Sequence, residues 1–499
     1  MAAPRSITRI IKSLQSTSRN ACSDHHRRCR ASWLPAVVLA KRYSSNAAAA
    51  IVAAAAASPS TEQTTTTSSS ATSSSVIGKQ VQTTSDLPLK TYNVTKADAR
   101  PKLSEHHKIT FDEKKTLVPW EEGKTSHFQH VWMRDHCQCS ECFHPETKQR
   151  MLNTFAIPEN IQPDTVEAEE EGMKIKYAGV LSNVVLFAKG KNDGHESFYA
   201  WEWLHLHSYN PRLERYISPQ FKFWGSEIVE GPPEVRYEAV MESDAGVGEW
   251  TRKIRKYGFC YVNGVPVTPE ATQELVERIS HIKHTHYGGF WDFTSDLSKK
   301  DTAYTSLALG VHTDTTYFSD PAGLQLFHLL SHTDGSGGQS ILVDGFRAAK
   351  IFREENPTAY RVLSNVRIPS HSSGNQDSSI QPYAPFPVFN HHPVNGELIL
   401  VRWNNDDRAT MDRWDDPADV ERFYEAARAW NDVLKRRESE YWEQLVPGRP
   451  IILDNWRVLH GRAAFDGKRR LCGAYISRDD FMSRFVLSNS KREDVLKAL

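Results

Sequence analysis

Apolar positions cluster along this chain in two distinct rhythms. Leu324-Gln325-Leu326-Phe327-His328-Leu329-Leu330 is a nearly unbroken apolar run, the pattern of a strand covered on both faces. Pro450-Ile451-Ile452-Leu453-Asp454-Asn455 reads the same way. Between about Asp301 and Asn405, short β-like runs alternate with Gly, Pro and Asp turns. Two stretches keep a helical period instead. Thr268-Pro269 opens the first, with Thr as cap and Pro at the first position, and Leu275, Val276, Ile279 and Ile282 form its inner face. Asp416-Pro417 opens a longer one that runs to about Leu445 and stops before Pro447-Gly448. Its apolar stripe is Val420, Phe423, Tyr424, Ala427 and Leu434. This predicts a mixed, mainly β region with flanking helices, and periodicity alone does not separate a barrel from a sandwich.

The N-terminal segment has a different composition. Arg5, Arg9, Lys12, Arg19, Arg27, Arg28, Arg30, Lys41 and Arg42 stand against the single acid Asp24. Ile7, Ile10, Ile11 and Leu14 fall on one helical face among them. A basic amphipathic helix of this kind is expected to be a mitochondrial presequence over residues 1–45, directing the chain to the matrix, with Arg42-Tyr43-Ser44-Ser45 as a processing site. Residues 46–85 are rich in Ala, Ser and Thr and are expected to be a disordered linker. Two further regions follow, 86–230 and 231–499.

The chain has 499 residues, enough for two or three domains, and its formal net charge is zero. No broad basic field is present, so nucleic acid is not an expected partner. No apolar run reaches the length of a membrane span, so no membrane insertion is expected. The seven cysteines are odd in number and three are clustered, which suits a reducing compartment. Cys260 and Cys472 lie in apolar runs and read as inert core thiols.

Two clusters carry metal chemistry. Cys137, Cys139 and Cys142 offer three thiolates, and a fourth ligand would complete the closed tetrahedral shell of a structural Zn(II). His136, His144, His195, His205 and His207 are the candidates. Farther on, His312-Thr313-Asp314 is answered by His460 in Asp454-Asn455-Trp456-Arg457-Val458-Leu459-His460-Gly461-Arg462. On a strand, His312 and Asp314 would point to one side. Two imidazoles and one carboxylate form the facial triad of non-haem Fe(II) oxygenases, which leaves positions for O2 and a chelating 2-oxo acid. Arg469 follows shortly and can pair with the distal carboxylate of 2-oxoglutarate, with Arg462 and Arg470 as rivals. Arg470 should point to the opposite face of the strand from Arg469.

Several long motifs occur in a recognisable order: Val131-Trp132-Met133-Arg134-Asp135-His136-Cys137-Gln138-Cys139-Ser140-Glu141-Cys142, Tyr287-Gly288, His312-Thr313-Asp314, Val343-Asp344-Gly345-Phe346 and the Asp454–Arg462 run. On these, the chain from about Val131 to its end resembles the gamma-butyrobetaine/trimethyllysine dioxygenases, within the taurine-dioxygenase-like 2-oxoglutarate oxygenases. The resemblance implies a double-stranded β-helix (jelly-roll) catalytic domain at 231–499, preceded by a small zinc-binding α+β domain at 86–230. It selects His195 as the fourth zinc ligand. It places Tyr287, Trp291, Tyr304 and Tyr475 in an aromatic cage for a quaternary ammonium, which has no N–H to donate and is held by cation–π attraction. It makes Asn404 a polar substrate contact and Ser340 a helper of Arg469. Asp301 would meet an α-ammonium, which trimethyllysine has and gamma-butyrobetaine lacks. The Leu471-Cys472-Gly473 and Arg478-Asp479-Asp480 runs point the same way. Implied with these are Fe(II), 2-oxoglutarate, ascorbate, O2 as co-substrate, structural Zn(II) and a homodimer. The implied reaction is C3 hydroxylation of trimethyllysine at the start of carnitine synthesis. Gamma-butyrobetaine hydroxylation is the nearest alternative, and a non-catalytic reader of trimethylammonium groups is a further one.

Overall fold

The computed structural model describes residues 101–105, 108–178, 194–213, 221–294 and 305–497. The expected presequence and linker lie outside the described residues, as do Asp301 and Tyr304. All described residues belong to one unit, Gln82–Leu499.

The first part of this unit is built on two small antiparallel sheets. One contains Thr110–Phe111, Lys115–Pro119 and Thr125–Gln129, and the other Pro163–Ala168, Gly172–Tyr177 and Glu196–Ala200. They share an aromatic-rich core with Trp120, Phe128, Met133, Tyr177, Tyr199 and Trp203. The helix His130–Asp135 ends just before the three cysteines.

Two larger sheets follow. The six-stranded sheet runs Glu234–Arg236, Phe259–Asn263, Ile451–Asp454, Leu324–Thr333, Lys468–Ile476, Trp291–Thr294. The four-stranded sheet runs Leu309–His312, Val458–Arg462, Ser340–Asp344, Tyr441–Glu443. Leu324–Thr333 is a central strand buried along most of its length, as its unbroken apolar run predicts. Ile451–Asp454 is also fully buried. It does not carry His460 itself. A turn at Asn455–Arg457 leads into a second strand, Val458–Arg462, which lies in the other sheet. The fold is thus a mixture of helix and sheet in which the chain repeatedly crosses between two sheets.

The predicted helix at Thr268 forms over Pro269–Glu277, with the Thr268 hydroxyl accepting from the Ala271 N–H at 3.2 Å. Leu275 and Val276 are fully buried, each worth about 1.5–3 kcal/mol of transfer free energy. The second helix is shorter than its period implies. It spans Asp419–Leu434, and Tyr441–Glu443 is a strand. Lys435-Arg436-Arg437-Glu438 offers no apolar face, so nothing holds a further turn to the core. The buried stripe is Phe423, Ala426, Trp430, Val433 and Leu434, whereas Tyr424 is exposed.

The span from 301 to 405 is not only strands. It contains the helices Gly345–Glu355 and Pro357–Asn365. Asp344 caps the first by accepting from Phe346 and Arg347, and Asn356 caps the second, with Pro357 at its start. No helix among the described residues is long and apolar enough to cross a membrane.

Candidate active site

His312 ends the strand Leu309–His312, and its register partner across the ladder is His460. The two rings stand side by side with centroids 4.5 Å apart. Asp314 is not on the strand. It sits in the bend that follows, where the strand rule for alternate residues does not operate. Asn455 holds it there, accepting from the Asp314 N–H at 2.8 Å and donating to its carbonyl at 3.0 Å. Thr315, next in the chain, has φ of 59°, a left-handed conformation rare for a β-branched residue. Its hydroxyl bonds Asp314 O at 2.7 Å and takes the Ala322 N–H at 2.8 Å, which fixes the bend.

The result is a convergent donor set. Asp314 Oδ1 lies 3.1 Å from His312 Nε2 and 3.4 Å from His460 Nε2. Ligands at about 2.1 Å in cis positions of an octahedron stand about 3.0 Å apart, so the set fits one six-coordinate ion. His312 Nδ1 donates to Gly310 O at 2.8 Å, which turns Nε2 toward the point where a metal would sit. Burial pushes the His460 imidazole below its ordinary range. Burial acts on His312 in the same direction, but the bonded Asp314 carboxylate overrides it and raises that group to about 9. Asp314 is also buried, yet His460 and His312 hold it well below the usual carboxylate range.

The triad opens into a cavity lined by Tyr287, Trp291, Tyr317, Asn404 and Tyr475, with Ser340, Arg462 and Arg469 also in its wall. The Tyr287 and Tyr317 hydroxyls are 3.0 Å apart, and Trp291 meets Tyr475 edge-on at 6.3 Å. Gly473 makes room for this arrangement. A Cβ there would lie 2.3 Å from the Trp291 ring and 1.9 Å from Leu326 O. Apolar walls from Phe293, Phe327, Leu342 and Leu471 complete the enclosure.

The three arginines have separate surroundings. Arg470 points away and forms a two-point pair with Asp292, at 2.9 and 2.5 Å. Arg462 donates to Thr305 O at 2.6 Å and Leu307 O at 3.0 Å, bracing the loop before the His312 strand. Arg469 is 3% exposed, and its Nε has no hydrogen-bond partner among the described residues. Burial, with Arg462 nearby, lowers it to about 10. A buried guanidinium with an unsatisfied donor fits a carboxylate ligand entering the cavity.

The cysteine cluster closes in the same manner. His195 Nε2 lies 3.3 Å from Cys137 Sγ, 3.6 Å from Cys139 Sγ and 3.5 Å from Cys142 Sγ. Tetrahedral Zn–S and Zn–N bonds of about 2.3 and 2.05 Å put those atoms about 3.6 Å apart. The other candidate imidazoles are engaged elsewhere: His136 with Trp132 O, His144 with two backbone N–H groups, His205 with Glu122 and His207 with Lys497 O. Burial raises the Cys137 thiol to about 12, so its ligation would release a proton. Cys260 and Cys472 are fully buried.

Sequence comparison agrees with this geometry. Residues 215–475 match the taurine catabolism dioxygenase TauD, TfdA family, and residues 107–186 match the gamma-butyrobetaine hydroxylase-like N-terminal family. A trimethyllysine dioxygenase of Meyerozyma guilliermondii is 44% identical over 406 residues, spanning 79% of this chain and 98% of that protein. A mitochondrial trimethyllysine dioxygenase of Bos taurus is 40% identical over 361 residues, 71% of this chain and 81% of that protein. The chain belongs to the trimethyllysine dioxygenase family. A gamma-butyrobetaine dioxygenase of Homo sapiens is more distant, at 28% identity over 76% of this chain and 95% of its own length.

Several residues at the site of this trimethyllysine dioxygenase family member were not singled out from sequence. Gln325 donates to Asp314 Oδ2 at 2.6 Å and is a lone amide within an apolar run. Asn455 follows the second such run. Asp406 and Asp407 line the cavity just after Asn404. Arg402 is also buried, donating to Thr316 O and Phe318 O and so tying down the segment after Asp314.

Proposed function

We propose that this chain is an Fe(II)- and 2-oxoglutarate-dependent dioxygenase that hydroxylates N6,N6,N6-trimethyllysine at C3, the first step of carnitine biosynthesis, releasing succinate and CO2. One observation carries the reading: a single cavity holds the His312, Asp314 and His460 donor set, several aromatic faces and the buried Arg469. When bound to the triad, iron supplies the O2 chemistry that couples decarboxylation of the keto acid to C–H hydroxylation.

The chain's own residues bind, orient and exclude water. Arg469 takes the C5 carboxylate of 2-oxoglutarate, helped by Ser340, which lines the same cavity. Tyr287, Trp291 and Tyr475 receive the trimethylammonium group, each face contributing about 0.5–2 kcal/mol. In the proposal Tyr304 belongs to the same cage, and Asp301 meets the α-ammonium at the far end of the substrate. Asn404 contacts the polar end of the substrate, and Asp406 and Asp407 add negative charge to that wall. Such a wall favours the α-ammonium of trimethyllysine and repels the carboxylate of gamma-butyrobetaine.

The four- and six-stranded sheets are taken as the two faces of a double-stranded β-helix at 231–499. Residues 86–230 are taken as a zinc-binding domain in which Cys137, Cys139, Cys142 and His195 hold one Zn(II). The basic N-terminal segment, together with the mitochondrial relative, supports a matrix location. Ascorbate as the reductant that keeps iron ferrous, and a homodimer, complete the proposal.

The test is a direct assay of purified protein with Fe(II), ascorbate and 2-oxoglutarate, offered trimethyllysine or gamma-butyrobetaine. The expected result is 3-hydroxytrimethyllysine and succinate in equal amounts, with little turnover of gamma-butyrobetaine. Preferred turnover of gamma-butyrobetaine would reverse the assignment. Trimethyllysine binding without succinate release would make the chain a non-catalytic reader.

A further inference from the structure

Asp314 uses its two oxygens for different tasks. Oδ1 faces both imidazoles, while Oδ2 accepts from Gln325 Nε2 and from the Tyr475 hydroxyl, each at 2.6 Å. The two donors are not a chance pair. Gln325 and Tyr475 are register partners on adjacent antiparallel strands, so they project from the same face of the six-stranded sheet. Gln325 is 2% exposed, and its Oε1 has no hydrogen-bond partner among the described residues. Turning the amide over would set that oxygen against a carboxylate, so its N–H must face Asp314.

A carboxylate free to rotate can grip a cation through both oxygens and so fill a second coordination position. Two short hydrogen bonds at Oδ2 fix the torsion and occupy the lone pairs that such a grip requires. We propose that Gln325 and Tyr475 are paired positioning residues that hold Asp314 as a one-oxygen ligand and thereby keep the coordination positions needed by the two co-substrates open. Tyr475 has a second face in this arrangement. Its ring lies in the aromatic cavity beside Trp291, so a cation resting on that ring strengthens the O–H donation to Asp314 and draws charge from the metal ligand. The inference rests on the triad being the metal site of the proposed dioxygenase, and on no particular organic substrate.

The experiment uses the full chain stripped of metal and titrated with Mn(II) alone, followed by electron paramagnetic resonance. Mn(II) favours oxygen and nitrogen donors, so the thiolate cluster does not compete. Gln325→Leu and Tyr475→Phe, which keep the shape of the site, should each raise the Mn(II) dissociation constant about 10- to 100-fold. Both should also change the resonance line shape. A merely structural role would move the melting temperature and leave both readouts alone. Should Gln325→Leu not fold, Gln325→Asn withdraws the amide by one methylene and should show the same weakening. Mn(II) affinity and line shape unchanged in the folded variants would overturn the proposal. In the turnover assay, the same variants should release more succinate per hydroxylated product than the parent. Failure of the substrate assignment appears separately, as a parent enzyme that does not hydroxylate trimethyllysine.

Discussion

Arg457 closes on Asp344 through two hydrogen bonds, Nε to Oδ1 at 3.0 Å and Nη2 to Oδ2 at 2.7 Å, with neither side chain exposed. The pair sits where the turn before the His460 strand meets the cap of the helix Gly345–Glu355. Arg457 also donates to Lys256 O at 2.9 Å and Lys222 O at 2.8 Å. Removing the guanidinium leaves a buried carboxylate without its cation. Arg457→Met should therefore cost about 3–5 kcal/mol of stability. Denaturant unfolding would read this as a lower midpoint. Adding Asp344→Leu should recover only part of the loss, because Asp344 also caps the helix, a role worth about 1 kcal/mol.

Arg469 lies in the cavity wall, 3% exposed, and no carbonyl or carboxylate among the described residues bonds its Nε. Arg469→Ala should raise the KM for 2-oxoglutarate about 10- to 100-fold, the loss expected for a charge-assisted pair of about 1.5–3 kcal/mol. Metal affinity should stay within about twofold, since the guanidinium is not a ligand. Arg470→Ala, which breaks only the surface pair with Asp292, should change neither quantity. Unaltered 2-oxoglutarate dependence in Arg469→Ala would remove the assignment.

Metal analysis should separate the two clusters. Cys142→Ser should lose zinc and unfold at a lower temperature while the triad is still present to bind iron. His460→Ala should keep zinc, lose iron and release no succinate. Loss of both metals from both variants would mean that the clusters are not independent.

His328 gives the chain an acid limit unrelated to the metal sites. Its Nε2 accepts from the Gly448 N–H at 3.0 Å, so Nδ1 carries the proton and bonds the Thr272 hydroxyl at 2.6 Å. Burial pushes this imidazole down to about 4. The unfolded chain, with histidine near its ordinary value of about 6.5, takes up the proton first. Stability is thus fully present above pH of about 6.5 and is lost as pH falls toward 4, by roughly 3 kcal/mol at most. Unfolding midpoints measured across that window should fall with pH. His328→Gln should flatten this part of the profile.

The sequence made the donor types legible better than their placement. His312 and His460 stand out because the His-Thr-Asp triplet is answered by a distant imidazole, and the structure ends a strand at His312. Asp314 reaches the same point by a different route, a strained bend pinned by Asn455, and side-chain alternation carries no sign of that. Long-range polar partners such as Gln325 were hidden because an amide inside an apolar run looks like noise until its acceptor is known. The helical reading runs too far beyond Leu434 because no Gly or Pro interrupts the chain before Pro447. The helices at Gly345 and Pro357 were missed although Asp344 and Asn356-Pro357 are ordinary cap signals. Tyr475 was placed by resemblance for its ring, and only its contact with Asp314 exposes the use of its hydroxyl.

The strand Leu324–Thr333 is flanked by two segments made long after it, Ile451–Asp454 and Lys468–Ile476. During synthesis it waits with both edges bare, an apolar ribbon able to stick to any neighbour. A message cut short before Lys468 would therefore yield a sticky, insoluble product rather than a feeble catalyst.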